Sequence, residues 1–365
     1  MSFRTTVSWI FSPLTMWYSI GVRFRNFLFN TGIKKQVAPH VTTIGVGNIC
    51  AGGAGKTPHV DYLISRFADQ YRTVLLSRGY KRKSRGFQID DGGHSVGLLG
   101  DEPAMVAQKH PEVTVAVSEK RLVGIDHLLQ MQDPPQLVIL DDAYQHRYVK
   151  PTVNILLTEY DKPYYKDRIM PFGNLREHRS ARRRANIIIV TKSPEKLNPI
   201  EKHGIIEDLQ LQPYQKVFFS YIHYCDPLPL MGGRPLPLNA LDEVLALTGI
   251  AHPESMCQYV QSQCQMVPMR YPDHHRYTVS DLKQIRKSFD QLKGSRKVIL
   301  TTEKDGVRLR ELVGDAAMEG LPIYVLPIEV RIHQTDEYSF DKTIANSIKE
   351  NVMFLDRMKN TSFDW

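Results

Sequence analysis

Short apolar runs recur along the first half of the chain, at 41–46, 73–77, 113–117, 137–141, 153–158 and 186–191, each rich in Val, Ile and Leu. Helical patterns separate several of them. Unbroken apolar runs, rather than alternation, are what strands buried on both faces require. Their alternation with helices predicts an α/β fold, a parallel sheet flanked by helices. Near 212–240 the pattern changes. QPYQKVFFSYIHYCDPLPLMGGRPLPL joins a strand-like run to Pro and Gly and marks the start of a second, smaller α/β domain. Within it EVLALTG and KVILTT read as strands and 279–293 as a helix. IYVLPIEVRI (323–332) is strand-like and is expected to pair with VFFSYIHY as a two-stranded connection between domains. The division expected is 1–35, 36–215, 216–332 and a C-terminal segment 333–365.

Ligands of parallel sheets bind beyond the carboxyl ends of the strands, so the residues just past each run matter most. The first run continues as VTTIGVGNICAGGAGKTP (41–58). A strand, a glycine-rich turn and a Lys-Thr pair opening a helix form a phosphate cradle, because the loop amides and the helix dipole converge on one point. The sheet is therefore expected to be P-loop NTPase-like. Cys50, Ala51, Gly52, Gly53, Ala54 and Gly55 would wrap the phosphates. Lys56 would reach the β- and γ-phosphates, and the Thr57 hydroxyl would ligate Mg²⁺. The first glycine of the consensus is replaced by Cys50, read as a small space-filler in the turn.

Other strand ends carry polar chemistry too. LVIL ends in Asp141-Asp142, placed either to hold Mg²⁺ or to cap a helix. In GDEP (100–103), Asp101 is either a helix cap or a base for an attacking hydroxyl. In MPFGNLREHRSARRRA (170–185), Arg176 suits a transferring phosphoryl group, while Arg179, Arg182, Arg183 and Arg184 read as a solvated or lipid-headgroup face. YPDHHRYT offers Asp273, His274 and His275. No complementary Cys/His cluster lies nearby to complete a zinc site, so a His poised beside an acid and a substrate hydroxyl is the preferred reading. VTKSP (190–194) lacks the final Asp of a guanine-reading loop, which weakens a GTPase switch.

The net charge of +8 suggests an anionic partner. No nucleic-acid-binding motif accompanies it, so nucleic acid is not expected. Four cysteines without metal or disulfide spacing fit a reduced, cytosolic setting. The N-terminus is distinctive. Between Arg4 and Arg23 no residue is charged, and Phe3, Trp9, Phe11, Trp17, Tyr18, Phe24, Phe27 and Phe29 crowd the first thirty residues, with Arg23, Arg25, Lys34 and Lys35 following or among them. The stretch is too polar to span a bilayer. It suits an amphipathic helix lying at a membrane surface, or else a helix packed on the core. A kinase for a soluble metabolite is the main enzymatic alternative, but it leaves this segment unexplained.

The motifs GNICAGGAGKTP, LSRGYKRKSRG, GDEP, LDDAYQHR, MPFGNLRE, YPDHHRYT and TTEKD, in this order over residues 47–305, resemble those of the tetraacyldisaccharide 4′-kinase family. That resemblance implies transfer of the ATP γ-phosphate to the 4′-hydroxyl of an acylated glucosamine disaccharide 1-phosphate, giving lipid IVA. It implies two α/β/α domains with the site in the cleft between them, at the cytoplasmic face of the inner membrane. It also implies Asp101 as general base assisted by His274. Asp141, Asp142 and Gln145 would form the Mg²⁺ network, and Arg176 would contact phosphate. Cys50 and AYQHR depart mildly from the family pattern.

Overall fold

The computed structural model of the protein describes residues 12–170 and 172–361. The apolar runs form the strands β1 (Thr42–Asn48), β2 (Thr73–Ser77), β4 (Thr114–Val117), β5 (Leu137–Leu140), β6 (Val153–Glu159) and β7 (Ile187–Thr191). With the short β3 (Gln88–Ile89), β8 (Lys216–Tyr224) and β14 (Ile328–Ile332) they make a nine-stranded sheet, ordered β14-β8-β7-β6-β1-β5-β2-β4-β3. The β8-to-β4 pairings are parallel; only the edge strands β14 and β3 run antiparallel. Every residue of β1, β2 and β5 is buried, as a sheet covered on both faces demands.

Alternate residues feed opposite cores. Ile155, Leu157, Ile187 and Ile189 pack on one face with Val60, Leu63 and Ile64 of α2 (Lys56–Phe67). Leu156, Ile188 and Val190 pack on the other with Leu209. The chain builds β2, β4 and β5 on one side of β1 and then crosses to β6, β7 and β8 on the other. The carboxyl end of β1 is thus the switch point where such sheets bind ligands.

The smaller sheet has five strands, ordered β11 (Gln265–Arg270), β10 (Glu243–Thr248), β12 (Lys297–Thr302), β13 (Ile323–Leu326), β9 (Leu228–Pro229), all parallel except β9. The expected helix there covers Val279–Asp290 and starts with a capping box between Thr278 and Asp281.

One expectation about organisation needs correction, and another holds for half of its segment. The expected boundary at 215/216 falls inside the larger sheet, because β8 pairs with β7. IYVLPIEVRI is two strands in two sheets. Pro327, which lacks an N–H to continue a ladder, separates β13 from β14, and only β14 pairs with β8. The C-terminal helix Gln334–Thr361 returns to the larger core through Phe340, Ile344 and Ile348.

The N-terminal helix α1 (Ser12–Asn30) is docked on one side. Phe29 is buried against Tyr148, and the Arg147 guanidinium donates to the Asn30 side chain and the Asn26 carbonyl. Ile20, Phe24 and Phe27, at helical spacing, stay exposed. Phe3, Trp9 and Phe11 lie outside the described residues. No described helix is long and apolar enough to cross a membrane.

Candidate active site

The P-loop leaves β1 at Asn48 and enters α2 at Lys56. Just before it, Gly47 lets the turn after β5 approach closely. A Cβ there would lie 2.6 Å from the Tyr144 Cβ, and the Ala143 N–H donates to the Val46 carbonyl at 3.0 Å. This contact sets Asp142 beside Lys56, with Nζ and Oδ1 3.5 Å apart. The Asn48 Oδ1 lies 3.5 Å from the same ammonium. Residues 174–176 run along the start of the loop. Cys50 bridges Leu175, the Ala51 N–H donates to Asn174 and the Arg176 N–H to Ile49. Arg176 is thereby brought to Asp142, Nη1 to Oδ2 3.9 Å. Three residues from three separate motifs meet at the switch point. The Cys50 thiol is pushed up to about 12 by burial, then by Asp167 and Glu159, so it stays protonated, as a space-filler should.

Asp141 and Asp142 cap no helix, since 141–148 is a series of turns. Asp141 is buried. Its Oδ2 accepts from Ser77 Oγ at 3.3 Å, and its Oδ1 is buried with no protein partner. Burial, and then the nearby Glu102 and Asp142 carboxylates, push this group well above the ordinary carboxylate range, against Lys56 and Arg121. A buried carboxylate with an orphaned oxygen fits a hard divalent cation. Thr57, Asp141 and Asp142 offer only oxygen ligands, which suits Mg²⁺ completed by substrate phosphates. Gln145, the further expected member of the metal network, stands at the root of the P-loop. Its Nε2 donates to the Asn48 carbonyl at 2.7 Å, and its own carbonyl accepts from Arg25. Its side-chain nitrogen is spent bracing the root of the P-loop.

A second cluster forms where the two sheets' units meet. Asp101 opens the helix Asp101–Lys109. Its Oδ2 accepts from His274 Nδ1 at 2.8 Å and from the Arg308 Nε at 3.0 Å, with a further short bond from Arg308 Nη2. His274 comes from the loop after β11, and Arg308 from the helix after β12. GDEP and DHH, far apart in sequence, therefore converge. Burial pushes Asp101 up, but the hydrogen bonds from Arg308 and His274 outweigh it and hold the carboxyl below its usual range. Tyr80 stands edge-on to the His274 ring at 5.8 Å.

Sequence reasoning missed Arg308. It is 4% exposed and also bonds the Gly249 carbonyl and Asp305. Asp305 itself, in TTEKD, accepts from the Gly249 N–H and from Thr302. The available signal was a carboxylate and an arginine one helical turn apart, directly after a strand. The basic run at 179–184 is also not uniformly a solvated face. Arg184 pairs with Glu177 at 2.8 Å and lies over Tyr144, and Arg182 bonds the Leu209 and Gln210 carbonyls. His275 is held by Asp281. Among the described residues no group of three or more His, Cys, Asp or Glu converges as a zinc site would need.

A P-loop at the switch point, two carboxylates at the next strand end, and an acid–histidine pair where the two sheets' units meet define a phosphotransferase of the P-loop class. The family model for tetraacyldisaccharide-1-P 4′-kinase matches residues 7–349. A tetraacyldisaccharide 4′-kinase of Bacteroides thetaiotaomicron is 38% identical, covering 97% of this chain and 95% of that one. One from Flavobacterium johnsoniae is 41% identical, covering 94% and 98%. The crystal structure of LpxK from Aquifex aeolicus in complex with ATP superposes with a TM-score of 0.73 at 29% identity, covering 95% of this chain and all of that one. The chain belongs to the tetraacyldisaccharide 4′-kinase family.

Proposed function

We propose that this chain transfers the γ-phosphoryl group of ATP to the 4′-hydroxyl of an acylated glucosamine disaccharide 1-phosphate, forming lipid IVA in lipid A biosynthesis. The observation that carries this reading is the juxtaposition of Lys56, Asp142 and Arg176 at the P-loop, with the Asp101–His274 pair nearby, since Glu102, next to Asp101, lies close enough to Asp141 to act on its charge. Phosphoryl transfer needs alignment and charge neutralisation more than covalent chemistry. Lys56 and Arg176 neutralise the phosphate oxygens. Asp101, ionised and steadied by Arg308, accepts the acceptor's proton, and His274 holds the pair in register. Thr57, Asp141 and Asp142 would hold Mg²⁺, which when bound offsets charge between the β- and γ-phosphates. The test is a transfer assay with labelled ATP and the lipid disaccharide 1-phosphate, with the product position determined. Label at the 4′ position is the expected result; label only on a soluble sugar would overturn the reading.

The acceptor is amphiphilic, so the reaction occurs where membrane meets water. We place the protein peripherally at the cytoplasmic face of the inner membrane, with α1 as the contact. The support is a helix docked by Phe29 and Asn30 while Ile20, Phe24 and Phe27 project as an apolar stripe. Basic residues at its end, Lys34 and Lys35, would add attraction to anionic lipid. Changing Phe24 and Phe27 together to Ser should weaken binding to anionic vesicles roughly tenfold, since the lost ring burial dominates. Salt should weaken wild-type binding without abolishing it. Co-sedimentation measures both, and unchanged binding in the double variant would leave α1 as a packing helix only.

A further inference from the structure

The phosphate loop is held at its start by residues 174–176. Its middle is open: no atom lies within 4 Å of where a Cβ would stand on Gly52 or Gly53. Its far end is Gly55, in the left-handed region at φ 79°, with no side chain capping the start of α2. The Gly55 carbonyl already accepts the helical bond from the His59 backbone N–H at 3.2 Å, and the second, shorter hold on it comes from the His59 ring, one turn into α2 and 3% exposed. Its Nδ1 lies 2.7 Å from the Gly55 carbonyl and its Nε2 2.9 Å from Ser220 Oγ on β8. A carbonyl only accepts, so Nδ1 carries the proton, and Nε2 must accept from the Ser220 hydroxyl. Ser220 is itself held, its carbonyl accepting from Ser193 Oγ at 3.0 Å, which contacts His333 Nε2 at 2.9 Å.

We propose that His59 is a positioning residue for the nucleotide site: its Nδ1–H, oriented by Ser220, pins the Gly55 carbonyl and so presets the loop amides that receive the ATP phosphates. This rests on the P-loop reading above. Free loops lose affinity because binding must order them, and a pin made before binding removes that cost. Because a carbonyl offers no proton, the donor sits on Nδ1 by geometry.

Two substitutions separate the two bonds. In Asn the amide nitrogen stands near the Nδ1 position, so His59→Asn keeps the donor to Gly55. His59→Gln places its amide near the Nε2 position and keeps contact only with Ser220. Loss of one neutral hydrogen bond should raise the dissociation constant for ATP about three- to tenfold. Calorimetric titration with Mg²⁺ and ATP, without the lipid acceptor, should show this loss for His59→Gln and substantial retention for His59→Asn. The KM for ATP should rise with it, while the KM for the lipid acceptor and kcat stay within twofold. Ser220→Ala, a milder change, should fall between wild type and His59→Gln. Equal affinities for the Asn and Gln variants, or an equal rise in both KM values, would make His59 a packing residue and overturn the pin. If His59→Gln fails to fold, unaltered ATP affinity in Ser220→Ala overturns it. Failure of the wild-type chain to bind ATP would instead remove the nucleotide site, and the pin with it. ATP binding without lipid phosphorylation would leave the pin standing and sink only the proposed acceptor.

Discussion

Lys56→Ala should lower turnover by about 10²–10³-fold or more, the scale seen when a single preorganised donor to a developing charge is removed. The ammonium sits 3.5 Å from both Asp142 Oδ1 and Asn48 Oδ1, so it is aimed along the mouth of the loop before nucleotide arrives. ATP phosphates would displace this weak pairing for charge-assisted bonds to phosphate oxygens. The fold should survive. Asp142 retains 37% side-chain exposure and an Arg176 neighbour, so its charge keeps contact with water and with a second cation when Lys56 is removed. Steady-state transfer rates with circular dichroism on the same preparation check both halves. A folded variant with wild-type turnover would withdraw the P-loop from the chemistry.

The large sheet was legible because its parallel strands from β1 to β7 are each built on a short apolar run, and because the P-loop and Asp141-Asp142 sit at the strand ends where sequence logic places them. The limits were physical too. VFFSYIHY comes after a change in composition, yet hydrogen-bonds to β7; composition reports local chain character, whereas sheet membership is decided by pairing at a distance. Pro327 signalled the break within 323–332, but which sheet each half joins is a tertiary fact. Arg308 was invisible because its meaning lies in Asp101, 207 positions away. Gln145 was offered only by the family resemblance; that its Nε2 braces the Asn48 carbonyl at the root of the P-loop is a matter of turn geometry that no sequence pattern signals.

Asp101→Asn should cost about 10²–10⁴-fold in kcat, the range for a lost general base. The sharper test is how the rate depends on pH. Asp101 is held below its ordinary range, so the enzyme needs little alkalinity to keep it ionised. The groups facing it are Arg308 and His274 directly, with Asp305 beyond Arg308, Asp273 beside His274, and the Glu102–Lys304 pair at 2.7 Å next along the helix. Arg308→Lys keeps a positive charge but loses the fork that grips one oxygen twice. Asp101 should then rise toward its ordinary value of about 4, and the acidic limb of kcat/KM should move to higher pH. The same sign governs stability. A carboxylate depressed in the folded state contributes above its unfolded pKa and loses that contribution as pH falls through the folded one, so Arg308→Lys should also flatten the acid side of the melting profile. Because Asp101 and His274 share one hydrogen bond, Asp101→Asn combined with His274→Ala should be little slower than the poorer single variant. Fully additive losses would show two independent groups. An acidic limb that stays in place in Arg308→Lys would show that Arg308 ties the two units together without tuning the base.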